Sequence, residues 1–271
     1  MARRRSRGGA HAPHPGAVPH GGRGRAPAAS GRRRPPGVSC ALRQSTGRGA
    51  HEAAEPAHQP AARGAVVKPE YWDRAKRALA RRDPVLGGII RRFPRIHLAP
   101  RGDAFQTLAR AVVGQQISVK AAQSVWERLA AAAAPVTPQA VGALEVAALR
   151  GCGLSARKAE YLGDLARHFL DGSVHVQRWP AMSDEEVIAE LVQVRGIGRW
   201  TAEMFLIFSL LRPDVLPVAD LGLQKAIRVA YRNGRAISET GIRRVASPWR
   251  PWRSVATWYL WRSLDPVPVE Y

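Results

Sequence analysis

One carboxylate in this sequence, Asp220, stands where it could take part in a reaction. It follows the apolar segment 216–219 and lies at the start of a helix that the residue spacing predicts over 220–231. Such a carboxylate can stabilise positive charge developing in a bound molecule, or it can orient a water molecule. It can also act locally, because an Asp before a helix is a common N-cap that accepts hydrogen bonds from first-turn amides. Asp220 alone leaves both interpretations open.

A second unusual segment lies upstream of this carboxylate. Residues 183–194 show helical periodicity, Gly196 and Gly198 flank one apolar residue, and a strongly apolar helix begins at Arg199. This pattern predicts a helix-hairpin-helix. The glycines permit a tight turn whose main-chain amides, with the positive N-terminus of the next helix, can face a phosphate, and Arg195 and Arg199 add positive charge. A compact αα-turn without a ligand is the alternative for the two glycines taken alone.

Together, the hairpin and Asp220 resemble the helix-hairpin-helix (HhH-GPD) DNA glycosylase superfamily, in which a Gly-Ile-Gly hairpin precedes a catalytic Asp at the spacing seen here. Segments 114–118, 153–162 and 249–254 are similar to the DNA-3-methyladenine glycosylase II branch of that superfamily. The resemblance extends over nearly all of residues 69–271. It implies an all-α fold of two helical lobes, with the active site in the cleft between them and the hairpin near its mouth.

The resemblance implies an enzyme that flips an alkylated base out of duplex DNA and hydrolyses its N-glycosidic bond, which starts base excision repair. Breaking this bond builds positive charge at C1′ of the sugar, and Asp220 matches the family's catalytic carboxylate. Flipping leaves a gap in the duplex. By resemblance Gln116 fills this gap as a plug, with Gln115 beside it; two exposed corner glutamines are the alternative. Contacts to DNA are also implied for the hairpin residues Arg195, Gly196, Ile197, Gly198, Arg199 and Thr201.

Trp200 distinguishes two chemistries. Glycosylases that also cleave the DNA backbone have a Lys at this point, and its amine attacks C1′ to form a Schiff base. With Trp there, we expect a hydrolase without lyase activity that leaves an intact abasic site. Trp200 also offers a π face to a cationic base, although core packing in the first helical turn is the favoured explanation for this Trp without the resemblance. The implied base pocket consists of Trp200, Met204, Leu221 and Trp261.

Two of these pocket positions leave the substrate range open. Met204 and Leu221 stand where a well-known type of member has tyrosines, and a less aromatic pocket could favour other bases. One alternative is therefore the same fold acting on uracil, hypoxanthine or ethenoadenine. Another is a non-catalytic protein that binds damaged DNA through the hairpin and the basic N-terminal extension. A lesion panel separates the enzymes by the base released, and turnover separates them from a binding protein.

No cofactor is expected for this chemistry. The sequence has two cysteines, too few for a four-cysteine zinc site or iron–sulfur cluster. The family reaction requires no metal. The resemblance does allow a monovalent cation, Na⁺ or K⁺, on the main-chain carbonyls of Val192, Val194 and Ile197.

Helical periodicity dominates the chain from Tyr71 onward, and alternating strand patterns are nearly absent, which predicts an all-α fold. Residues that commonly cap helices precede many of the periodic segments: Asp83, Asp103, Ser118, Thr137, Ser155, Ser183 with Glu186, and Ser238. The predicted helices are 69–82, 84–93, 103–114, 118–133, 155–171, 183–194, 199–211, 220–231, 238–246 and 251–263.

About half of the net charge of +21 lies in the first quarter of the chain. Residues 1–68 contain 13 Lys and Arg but two acids, and no aromatic residue. We expect residues 1–66 to be a disordered extension, because they are too poor in apolar residues to form a core. The extension either binds nucleic acid nonspecifically or has no role. No apolar stretch is long enough to span a membrane. We expect a monomer in the cytoplasm, associated with the nucleoid through double-stranded DNA.

Overall fold

The structure is a computed structural model and describes residues 68–100 and 102–264. The predicted extension, residues 1–66, lies outside these ranges. The described part is all-helical, which confirms the predicted fold class. Its helices are α1 (Trp72–Arg82), α2 (Pro84–Arg92), α3 (Ala104–Gly114), α4 (Val119–Ala132), α5 (Pro138–Gly142), α6 (Val146–Gly151), α7 (Ala156–Leu170), α8 (Asp184–Leu191), α9 (Arg199–Phe208), α10 (Leu221–Arg232), α11 (Glu239–Val245) and α12 (Arg253–Leu264).

Side-chain caps explain where most of these helices begin. All seven predicted caps are confirmed, because each side chain accepts a hydrogen bond from a first-turn amide. Ser183 and Glu186 form a reciprocal capping box, in which each side chain accepts a bond from the main-chain amide of the other. Local polar chemistry therefore defines the start of most helices before any tertiary contact is considered.

The helix ends and two short helices differ from the prediction. The helix predicted over 199–211 ends at Phe208, and Leu211 beyond it has a left-handed backbone with φ +52°. The helix predicted over 183–194 ends at Leu191, where the chain turns into the hairpin. Helices α5 and α6 are absent from the prediction, although it includes the cap at Thr137. Helix α6 begins without a side-chain cap, so the sequence carries little local signal for it.

The helices pack in two groups. Helices α3–α9 form one group, the middle lobe, in which α7 packs against α3, α5 and α6, and α9 packs against α3 and α8. Helices α1, α2 and α10–α12 form the other, the terminal lobe, in which α12 packs against α1, α2 and α10. Buried apolar residues from both lobes belong to one core cluster. Because the terminal lobe combines both ends of the described chain, distant segments meet within it.

Asp83 joins the two ends of the chain within the terminal lobe. Its Oδ1 caps α2 by accepting the amides of Val85 and Leu86. Its Oδ2 accepts hydrogen bonds from the Tyr231 hydroxyl at 2.7 Å and the Trp249 indole at 2.8 Å. Burial is the largest cause of a raised Tyr231 pKa, so this hydroxyl stays protonated and able to donate. No helix in the described ranges is both long and apolar enough to cross a membrane.

Candidate active site

Asp220 is the N-cap of α10, and its carboxylate accepts three hydrogen bonds. Oδ1 accepts the Leu223 amide at 2.6 Å and the Trp261 indole at 2.8 Å, while Oδ2 accepts the Trp200 indole at 2.9 Å. The residue is only 8% exposed. A carboxylate has about four lone-pair sites, so these donors leave room for one more hydrogen bond, such as one from water. The capping role is therefore real, and it is compatible with a chemical role.

The three side chains of this cluster come from both lobes. Trp200 lies in the first turn of α9 in the middle lobe, whereas Asp220 and Trp261 belong to the terminal lobe. Trp200 is 47% exposed, which argues against the interpretation that it only packs in the core. The cluster thus places a fixed carboxylate next to an accessible aromatic surface at the junction of the lobes.

Two residues that the sequence did not single out shape the Trp261 side of the cluster. Phe208 stacks on Trp261, with ring centroids 5.7 Å apart and ring planes 13° from parallel. Gly222 lies beneath the same indole, and a Cβ there would be 3.1 Å from Asp220 Oδ1 and 3.2 Å from the Trp261 ring. A glycine directly after the helix start was the available sequence signal for this close approach.

The other predicted pocket residues differ in their surroundings. Met204 is partly buried and packs against the core. Leu221 is 78% exposed, although it follows Asp220 directly in the chain. The structure therefore brings Trp200 and Trp261 onto the carboxylate, and it leaves Leu221 available to a bound molecule rather than to the protein interior.

Residues of α7 contact the hairpin and hold it in place. Gly196 has φ +84°, and a Cβ there would be 2.1 Å from the Tyr161 ring, so only glycine fits. The amide of Arg195 donates to Asp164 Oδ2 at 2.8 Å, and the Ile197 side chain is buried with 3% exposure. Neither Tyr161 nor Asp164 was predicted to matter, because their contacts depend on tertiary packing.

The phosphate-binding potential of the hairpin lies at the start of α9. The Ile197 amide already donates to Val194 O, but the N-cap residue of α9, Gly198, has no side chain that could cap the helix. A Cβ at Gly198 would meet no atom within 4 Å, so this side of the turn is open. The uncapped first-turn amides, which include that of Thr201, therefore form the positive end of α9 at an accessible surface.

The two hairpin arginines have different surroundings. Arg195 is exposed. The Arg199 guanidinium bonds both carboxylate oxygens of Glu185, at 2.5 and 2.9 Å, and Glu203 at 3.1 Å. The bond with Glu185 raises the pKa of Arg199 and lowers that of Glu185, while burial raises the pKa of Glu203. In this arrangement Arg195 offers more unpaired charge to a phosphate than Arg199 does.

The predicted plug residues lie beside the hairpin. Gln116 lies at the corner that follows α3. Its side chain is exposed, and its backbone is left-handed with φ +58°. The side-chain amide nitrogen of Gln115, Nε2, donates to Gly196 O at 2.8 Å. Two segments that the sequence linked to DNA separately are thus joined by a direct hydrogen bond. Among the described residues, no cluster of His, Cys, Asp or Glu could hold a metal.

Comparison with known proteins agrees with this architecture. Residues 109–251 match the family described as HhH-GPD superfamily base excision DNA repair protein. The chain belongs to this family, as the sequence resemblance predicted. Among proteins with assigned names, it is 34% identical over 165 residues to DNA-3-methyladenine glycosylase 1 of Schizosaccharomyces pombe, an alignment that covers 59% of this chain and 72% of the relative.

Two solved structures are similar in both sequence and fold. DNA-3-methyladenine glycosidase from Bacillus halodurans is 32% identical with a TM-score of 0.67, over 70% of this chain and 89% of that one. The 3-methyladenine DNA glycosylase Mag1 of Schizosaccharomyces pombe, solved in complex with abasic DNA, is 30% identical with a TM-score of 0.61, over 70% and 96%. These relatives thus place the chain beside enzymes named for alkylated-base removal.

Proposed function

We propose that the protein is a monofunctional DNA glycosylase that removes alkylated bases of the 3-methyladenine and 7-methylguanine type from duplex DNA. One observation carries this proposal: the Asp220 carboxylate is held between the Trp200 and Trp261 indoles at the N-terminus of α10. The similarity to enzymes named DNA-3-methyladenine glycosylase supports the substrate class. Double-stranded DNA is the partner.

The fixed carboxylate suits the charge that develops in this reaction. As the N-glycosidic bond lengthens, positive charge builds at C1′, and a preorganised anion stabilises it without reorganising at the moment of reaction. The two indoles and the Leu223 amide hold the carboxylate in place, and its remaining acceptor site can take a hydrogen bond from the attacking water. An alkylated base that is already cationic leaves with little acid assistance. A single indispensable acid, Asp220, is therefore sufficient.

Trp200 supports hydrolysis without backbone cleavage. Its indole N–H points to Asp220, so this position offers a hydrogen-bond donor and an aromatic face but no amine that could form a Schiff base. Its exposed face can attract a cationic base, an interaction worth about 0.5 to 2 kcal/mol. Borohydride added during turnover should trap no protein–DNA adduct. A covalent adduct would contradict this part of the proposal.

Replacing Asp220 with Asn tests the catalytic role. An Asn can still cap α10, but its NH₂ group must face one of the two indole N–H donors, and the negative charge is removed. We expect excision of 3-methyladenine from duplex DNA to fall at least about a hundredfold, while duplex binding persists. Excision is measured by base release, and binding by fluorescence anisotropy.

Asp103→Asn is the matched control, because Asp103 is an exposed N-cap that accepts only the Gln106 amide from the first turn of α3. It should excise like the wild type. Full activity of Asp220→Asn would reject the catalytic assignment.

A lesion panel tests the substrate class against its alternatives. Exposed Leu221 and partly buried Met204 supply a less aromatic pocket than tyrosines would, which is why uracil, hypoxanthine and ethenoadenine stay as second candidates. Defined duplexes with each lesion should release methylated purines fastest. Release of another base alone would move the proposal to that substrate, and binding without any release would favour a non-catalytic damage-binding protein.

We also propose which residues contact DNA, in which oligomeric state and compartment the enzyme works, and which cofactor it needs. Gln116, with Gln115 beside it, is the plug, and Arg195, Thr201 and the hairpin main chain bind phosphates. The enzyme works as a monomer, in the cytoplasm and on the nucleoid, and needs no cofactor. A monovalent cation on the Val192, Val194 and Ile197 carbonyls would add positive charge where the phosphate lies.

A further inference from the structure

The corner that carries Gln115 and Gln116 is held by a lysine from another helix. Lys158 lies in the first turn of α7, and its ammonium donates to Val113 O at 2.8 Å and to Gln115 O at 2.7 Å. These carbonyls belong to the last turn and the C-cap of α3, where main-chain oxygens have no partner within the helix. The cation thus caps α3 at its negative end, directly before the corner.

The local structure of the corner is weak without this lysine. The Gln115 amide reaches Val112 O at 3.4 Å and the Ile117 amide reaches Gly114 O at 3.5 Å, both at the long limit for hydrogen bonds. Gln116 has a left-handed backbone, which is uncommon for a residue with a side chain. A cavity adjoins the corner and is lined in part by Gln115, Gln116, Ile117 and Lys158. Packing alone therefore does not fix the corner.

The same face of α7 also holds the hairpin. Three residues spaced three apart along this helix make the contacts: Lys158 bonds the corner, the Tyr161 ring lies against Gly196, and Asp164 accepts the Arg195 amide. The bond from the Gln115 side chain to Gly196 O closes the arrangement. Helix α7 therefore sets the distance between the plug corner and the hairpin.

We propose that Lys158 is a positioning residue for base flipping. It holds the Gln115–Gln116 corner at a fixed distance from the hairpin, so that Gln116 can enter the duplex. This role rests on the proposed glycosylase function. It predicts a defect specific to duplex DNA, because a base in a single strand needs no plug to replace it. Burial lowers the pKa of Lys158.

The test compares excision of 3-methyladenine from duplex and from single-stranded DNA. In Lys158→Met the two carbonyls have no donor, and we expect excision from the duplex to fall roughly ten- to a hundredfold, while excision from the single strand changes less than about twofold. Lys158→Arg should recover most of the duplex activity, because the guanidinium is also a cationic donor and the adjoining cavity gives it room. Arg157→Met is the matched control: it removes an exposed cation from the same turn and should leave the ratio of the two activities unchanged.

A second measurement is independent of catalysis. A duplex with a tetrahydrofuran abasic analogue and 2-aminopurine opposite it reports plug insertion, since a side chain entering the stack changes the fluorescence. Wild type and Lys158→Arg should give the change, and Lys158→Met should not, even at protein concentrations that saturate binding. This assay works even if the wild type releases no base, so failure of the proposed function and failure of the Lys158 role are distinguishable.

Specific results would contradict the proposed role of Lys158. Equal losses on duplex and single strand with a normal fluorescence change would show a merely structural lysine and overturn the proposal. So would full activity of Lys158→Met on the duplex. If Lys158→Met does not fold, Lys158→Gln keeps an amide donor too short to reach both carbonyls, and it should show a smaller duplex-specific defect. A Lys158→Gln variant with wild-type duplex activity and fluorescence would equally reject the role.

Discussion

Gly222 determines how closely the Trp261 indole approaches Asp220. A methyl group at this position would lie 3.1 Å from Oδ1 and 3.2 Å from the ring, tighter than ordinary contact, so the indole or the carboxylate has to move. For Gly222→Ala we expect kcat/KM for base release to fall about tenfold or more, since small displacements at a reacting centre are costly. Stability should change little, because Ala favours the helix by about 0.5 to 1 kcal/mol over Gly and offsets part of the strain.

Gly163→Ala is the matched control for this prediction. Gly163 lies inside α7, and a Cβ there would meet no atom within 4 Å. The Gly163→Ala variant should be more stable than the wild type in urea unfolding, and it should release bases at the wild-type rate. If Gly222→Ala retains full activity, the contact between Trp261 and Asp220 is not needed for the reaction.

At the scale of single residues, the sequence predicted which residue types matter better than it predicted their contacts. Asp220 could be singled out because a carboxylate at a helix start has a known chemistry and stands at a family spacing. Its donors could not be deduced, since the Trp200 and Trp261 indoles come from different helices. Lys158 was visible within the segment 153–162, but its carbonyl partners exist only after α3 and α7 have packed.

At the scale of helices, local signals were most reliable where a side chain bonds its own backbone. The cap residues therefore predicted where helices start, whereas helix ends needed tertiary information: Leu211 adopts φ +52° in a segment with helical periodicity. Helix α6 has no side-chain cap and six residues, too few for periodicity to identify.

Asp83 shows how one such cap can also connect elements. Asp83→Ala removes the α2 cap and leaves the buried donors of Tyr231 and Trp249 without their acceptor. Removing the cap costs about 1 kcal/mol and each orphaned donor about 1 to 3 kcal/mol, so the free energy of unfolding should fall by about 3 to 7 kcal/mol. Asp103→Ala, which removes only an exposed cap, should cost about 1 kcal/mol. Equal decreases in urea unfolding would show that Asp83 does not join the two ends of the terminal lobe.

At the scale of the whole molecule, charge is divided between two parts with different expected roles. Residues 1–68 hold 13 basic and two acidic residues and so contribute +11 of the net +21. The remaining +10 lies on the part that contains the hairpin, Asp220 and the plug corner. Charge on the first part can strengthen DNA binding without affecting how a base is flipped, because phosphate contacts are independent of sequence and structure at the lesion.

Removal of residues 1–66 separates these contributions. Every group that we place in the reaction lies after residue 68, so the truncated chain should excise 3-methyladenine with an unchanged single-turnover rate when enzyme saturates the DNA. Its affinity for undamaged duplex should fall, and the slope of log K against log salt should become shallower by about 0.9 for each phosphate that the shorter chain no longer neutralises. An unchanged slope would mean that the extension does not touch DNA. A slower saturating rate would instead give the extension a role in the reaction itself, since weaker affinity alone cannot lower that rate.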